Sequence, residues 1–170
     1  MKRFTLVSIF VLAFAGVVLA VDGDIQRIKS CTYCGMDREK FAHSRMLIEY
    51  SDGTSVGVCS LHCAAVELAN AIDKTPRYIG VGDYRSKNLI DAEKAFWVIG
   101  GSKAGVMTAN PKWAFERKTE AEKCIQENGG RLASFDEAIK AAYEDMYLDT
   151  KRIRERRMMK RAPSPLEQPR

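Results

Sequence analysis

The chain has 170 residues, of which 46% are hydrophobic and 29% charged, and a net charge of +5. The positive charge is confined to the ends: Lys2 and Arg3 at one, and residues 151–170, with eight Lys/Arg against two Glu, at the other. The body between is net negative, which argues against a nucleic-acid partner and leaves a basic tail that could meet anionic lipid or an acidic protein.

Met1-Lys2-Arg3 precede an apolar run from Phe4 to Ala20, interrupted by Thr5, Ser8 and Gly16. Small residues at Val18 and Ala20 make a signal-peptidase site, so residues 1–20 are expected to be an export signal and Val21 the mature start. A run this short is at the lower limit for a membrane span. The alternative is an uncleaved anchor. The expected location is periplasmic, with membrane-surface contact through that anchor or the tail. The remaining length suits one compact domain or two small lobes.

Residues 21–30 read as a polar lead-in. Cys31-Thr32-Tyr33-Cys34-Gly35-Met36 is a CxxC knuckle whose Gly35 permits the turn. Residues 44–50 alternate weakly as a strand, Ser51-Asp52-Gly53-Thr54 turns, and 55–58 return, giving a hairpin over 45–58. Cys59-Ser60-Leu61-His62-Cys63 opens a helix expected over 60–72, with Ser60 as N-cap and Thr75-Pro76 as the stop.

Residues 78–83 are expected to form a strand, 84–94 a loop, and 95–99 a further strand ending at Gly100-Gly101. Residues 104–108 are loop-like, and 113–116 are another strand. Thr119–Glu122 reads as a capping box for a helix to Asn128, followed by Gly129-Gly130. Residues 131–133 form a short strand. Ser134–Glu137 is a second capping box, opening a long helix that runs toward the basic tail. Both halves read as strands followed by a helix. The expected organisation is a signal over 1–20, a Cys-rich lobe over 21–75, a βα lobe over 76–150 and a basic, partly disordered tail over 151–170.

Knuckle, hairpin and a helix with cysteines in its first turn form the treble-clef order, which brings four sulfurs toward one point. Thiolate, thioether and imidazole select Cu(I), Zn(II) or iron–sulfur clusters over Mg or Ca. Three other uses stay open. Four cysteines suffice for a closed zinc cage; in an exported chain Cys31 or Cys34 could pair with Cys59 or Cys63 as disulfides; and a CxxC can be a redox centre, although this one precedes a hairpin and not a helix. His62 reads as a ligand beside Cys63. Cys124 reads as a small buried residue, Trp97, Trp113 and Phe115 as core, and His43 as bland.

Cys34-Gly35-Met36, the Asp52-Gly53 hairpin and the Cys-rich helix start resemble the NosL family. So do Phe96-Trp97-Val98-Ile99-Gly100-Gly101, Gly105-Val106-Met107, Trp113-Ala114-Phe115 and Gly129-Gly130-Arg131 followed by Phe135-Asp136. The resemblance spans roughly residues 30–145. It implies an α+β fold of two small βα lobes of treble-clef type, also seen in organomercurial lyases, with a C-terminal helix. It also implies an exported copper chaperone, not an enzyme, that binds Cu(I) and serves assembly of nitrous oxide reductase in denitrification. The recipient cuproenzyme or its assembly factors would be the partners. By this resemblance Cys34, Met36 and Met107 lead the ligand set. Cys59, His62, Cys63 and Cys31 follow, with Zn(II) as an alternative or additional ion. The family's usual lipoprotein cysteine is missing, and the basic tail is not a family hallmark. An organomercurial-lyase activity would need a carboxylate proton donor such as Asp37.

Overall fold

The computed structural model describes residues 23–161; the expected export signal and the last nine residues lie outside them. Within that range the elements are α1 (Gly23–Arg27), β1 (Met46–Tyr50), β2 (Ser55–Val58), α2 (Leu61–Asn70), β3 (Pro76–Gly82) and β4 (Leu89–Asp91). These are followed by β5 (Phe96–Ile99), β6 (Lys112–Phe115), α3 (Lys118–Asn128), β7 (Arg131–Ala133) and α4 (Phe135–Arg161). The strands form two antiparallel sheets, ordered β2-β1-β3-β4 and β6-β5-β7.

The hairpin forms where the alternation places it, with Met46 opposite Val58 and Glu49 opposite Ser55. Asp52 accepts from the Thr54 backbone and hydroxyl, closing the turn ahead of the return strand. The strand expected at 78–83 is β3, but it pairs with β1, placing Leu47 opposite Gly80. β4, in a stretch read as loop, extends the same sheet from β3. The first lobe therefore reaches residue 91, past the expected boundary at 75. Glycine allows this packing: a Cβ on Gly82 would stand 2.0 Å from the Ala42 carbonyl oxygen. A single bridge between Asp83 and Ala114 joins the two sheets.

Of the two capping boxes, the second forms. The Ser134 hydroxyl accepts from the Glu137 N–H, while Glu137 accepts from the Ser134 N–H. The first does not, because the helix starts two residues earlier, with Arg117 and not Thr119 at the N-cap and no side-chain cap bond. Ser60 holds the N-cap position of α2, also without a side-chain cap bond. α2 ends at Asn70, and Ile72 beyond it is 91% exposed.

The lead-in is more than a polar spacer. Asp24 on α1 is buried and paired with Arg38 at 2.7 Å and Arg45 at 3.1 Å, both also buried. Arg38 further donates to the carbonyls of Ile28, Met46 and Val58. One guanidinium thus ties the segment before the knuckle to both strands of the hairpin. A buried ion with every donor used is tolerated; stripped of its partner it is strongly destabilising.

The second lobe is held by apolar packing. Trp97, Val98, Trp113, Phe115, Ala121, Phe135 and Ala138 are all buried, and the Trp97 and Phe135 rings lie 5.9 Å apart. The Trp97 indole donates to the Ala92 carbonyl at 2.9 Å, so its polar edge is satisfied. α4 starts in this lobe and crosses to the first, where it packs on α2. It runs unbroken through the basic stretch to Arg161.

Candidate metal centre

Four sulfurs meet in the first lobe. Cys31 and Cys34 come from the knuckle, which is closed by Cys31 N–H to the Met36 carbonyl at 2.8 Å and Gly35 N–H to the Cys31 carbonyl at 2.9 Å. Gly35 takes φ 73°, a left-handed conformation that glycine adopts without cost. Thr32 fastens the knuckle to the hairpin through its N–H and hydroxyl, both to the Gly57 carbonyl. Tyr33 fastens it to α2 by donating to Glu67 at 2.6 Å. Cys59 leaves the end of β2, and Cys63 lies in the first turn of α2. The four Sγ atoms lie within 4.8 Å of one another. Cys34 and Cys59 are 3.4 Å apart, and Cys59 and Cys63 are 3.8 Å apart.

These separations are well beyond a disulfide bond, and all five cysteines are free. Cys31, Cys59 and Cys63 are buried; Cys34 is half-buried and forms the open edge. Crowded thiols share protons unevenly. Contact with Cys31 pushes Cys34 up, but the Cys59 and Cys63 thiols beside it outweigh that and lower it to about 7. Cys31 is held well below the usual thiol range by contacts from Cys34, Cys59 and Cys63, whereas the same crowding and burial push Cys59 and Cys63 up. A soft cation relieves this by replacing the protons on all four.

His62 does not join them. Successive helix positions differ by about 100° in direction, so with Cys63 facing the sulfurs its neighbour faces elsewhere. His62 points toward α4, with Nδ1 3.9 Å from the Asp149 carboxylate. Burial is the main cause of its lowered pKa. His62 Nδ1 and Trp113 Nε1 are buried without a hydrogen-bond partner. Both residues line a cavity of about 10 Å³, the size that holds one water. Asp37 is also outside the cluster: its carboxylate accepts from the Glu39 and Lys40 N–H groups and caps its own turn. Cys124 is buried on α3, near Asn128.

Met36 and Met107 lie together on a second feature, a cleft of about 340 Å³ that they line with Phe41, Arg152 and Arg156. Met107 has φ 62°, a left-handed backbone at a residue with a long side chain. Such strain costs on the order of 1–3 kcal/mol and persists where surrounding structure or function holds it. The basic end of α4 forms one wall of the cleft. From it Arg157 reaches the Cys34 carbonyl at 3.4 Å. The gathering of the thiols is legible from cysteine spacing; the convergence of α4 on the knuckle is not, since no local pattern encodes a contact 123 residues long.

The fold and site define a class: a two-lobed α+β protein with a cluster of soft metal ligands in its first lobe. The family model described as NosL matches residues 22–143, and the chain belongs to the NosL family. Among solved structures, the crystal structure of the copper chaperone NosL from Shewanella denitrificans is similar, with 24% identity and a TM-score of 0.53. The match covers 69% of this chain and 92% of that one. The mixed helix-and-strand architecture of this chain, with two small sheets and a C-terminal helix, matches that fold. Among curated proteins, none matches the chain.

Proposed function

We propose that this protein is a Cu(I) carrier: it accepts copper into a soft site and passes it to a periplasmic cuproenzyme, nitrous oxide reductase, or to that enzyme's assembly factors. Copper is the cargo, and no bond of an organic substrate is made or broken. The observation that carries the reading is Met107, kept in a strained left-handed backbone where it shares a cleft with Met36. Family membership and the copper-chaperone name of the similar structure support it.

Cu(I) is satisfied by two or three soft ligands, so a thioether pair with one thiolate holds it while leaving an approach for an incoming ligand. Cys34 suits the third place, being half-buried, with its thiol lowered by the Cys59 and Cys63 thiols beside it. Transfer then proceeds by ligand exchange: a partner's sulfur binds before a carrier sulfur lets go. The basic wall of the cleft favours a partner with acidic groups around its own copper ligands. Export by residues 1–20 would place the carrier where such an enzyme matures.

The test is a Cu(I) titration of the reduced protein against a chromophoric Cu(I) chelator, beside Met107→Ala. The wild type should compete stoichiometrically. The variant should lose about tenfold or more in affinity, or about 1.4 kcal/mol, with an unchanged circular dichroism spectrum. Unchanged affinity would remove Met107 from the ligand set, and failure of the wild type to take copper would remove the carrier reading.

A further inference from the structure

We infer that the four-cysteine cluster is a resident Zn(II) site that holds the first lobe together, beside the place where cargo copper rides and sharing only Cys34 with it. The inference deepens the carrier reading by dividing the sulfur ligands between two metals; the cage itself stands on its own geometry.

Ligand count is the first argument. Cys31, Cys34, Cys59 and Cys63 all converge. Four thiolates saturate tetrahedral zinc, whereas they are more than Cu(I) uses and leave no open position for exchange. Size is the second. A Zn–S bond of about 2.3 Å gives a tetrahedron with edges of about 3.8 Å. The Cys59–Cys63 edge is 3.8 Å, the Cys34–Cys59 edge 3.4 Å, and no pair exceeds 4.8 Å. Small rotations of side chains would seat the ion.

Access is the third. Cys31 is 2% exposed, Cys59 0% and Cys63 2%. A recipient's sulfur cannot reach three of the four ligands, so an ion held by all of them stays. Support around the sulfurs is the fourth. The knuckle that carries Cys31 and Cys34 is closed by the Cys31 and Gly35 N–H groups and tied to Gly57 through Thr32, contacts that fix ligand orientation. The last argument is mechanical. Residues 28–45 form no helix or named strand. A metal bridging the knuckle to the end of β2 and the start of α2 would add a cross-link to the Thr32 and Tyr33 hydrogen bonds that join them. Copper is then left with the Met36 and Met107 thioethers that line the cleft, with Cys34, the one cage sulfur that is not buried, as the thiolate shared between the two metals.

The experiment is elemental analysis of the full chain purified without added metal, followed by Cu(I) titration with zinc measured throughout. About one zinc per chain should survive gel filtration and remain after one equivalent of Cu(I) binds. Cys63→Ser should lose the zinc, and Met107→Ala should keep it while losing copper affinity. Should Cys63→Ser fail to fold, stripping the wild type and reloading it with Co(II) serves instead, since four-thiolate cobalt has intense red-region bands. Displacement of zinc by the first equivalent of Cu(I), or a folded protein with four free thiols and no cobalt signature, would overturn the cage even if copper still binds. Retained zinc with no copper uptake would leave the cage standing and remove the carrier reading.

Discussion

The two lobes have the same parts, a hairpin followed by a helix that packs on it, but solve the same small-core problem differently. The second fills its centre with Trp97, Trp113, Phe115 and Phe135. The first places sulfur where the second has hydrocarbon: Cys59 and Cys63 flank the start of α2, while Phe115 and Ala121 flank the start of α3. The first lobe also has an apolar core, Met46, Ile48, Tyr50, Val58 and Val81, and adds to it other sources of cohesion. Here the sources are the sulfur cluster and the Asp24 ion network. One frame can thus be stable by packing in one copy and chemically responsive in the other.

The largest effect should come from removing metal. Stripping the full chain with a strong chelator should collapse amide protection in β1, β2 and α2 while β5, β6 and β7 keep theirs; hydrogen exchange by mass spectrometry reads both lobes at once. Equal loss in both would end the contrast. Next comes Trp97→Ala, which should cost about 3–5 kcal/mol in a denaturant titration with metal content per folded chain unchanged.

Asp24→Ala should fall in the same range, about 3–5 kcal/mol, because Arg38 and Arg45 remain buried without their carboxylate. The same site gives a pH signature. Burial alone would push Asp24 up, but hydrogen bonds and charge from Arg45 and Arg38 hold it below its ordinary value of 3.8. Its contribution is therefore complete above that value and is lost as pH falls through the lower, folded-state value. Wild-type stability should drop steeply in that acid window, and the Asp24→Ala profile should be flatter there. The smallest stability effect belongs to Met107→Gly. It removes the left-handed strain together with the thioether, so stability should change by less than about 1 kcal/mol while Cu(I) affinity falls.

Legibility followed locality. The hairpin was readable because Asp52-Gly53 sits between alternating runs, and α4 because Ser134 and Glu137 cap each other. The gathering of the four sulfurs was readable because CxxC and CxxxC spacings survive as patterns in one dimension. The membership of β3 in the first sheet was not, because strand pairing depends on partners far along the chain. Asp24 looked like one more polar residue in a lead-in, and only the fold brings Arg38 and Arg45 to it. His62 was drawn to the cysteines by proximity in sequence, but the helical turn sends adjacent residues to different neighbours. Met36 adjoins the knuckle, whereas Met107 could be named only by resemblance. Their sharing of a cleft depends on α4 crossing from one lobe to the other.

The contact between Arg157 and Cys34 also sets an order of assembly once the chain is free to fold. The four clustered cysteines all lie between residues 31 and 63, so short loops suffice to gather them, whereas the cleft wall waits for α4 to return from the far end of the chain. Closing a longer loop costs more entropy, and contacts distant in sequence form more slowly. The sulfurs therefore gather early and the cleft closes late, which makes the basic end of α4 the last part of the site to arrive.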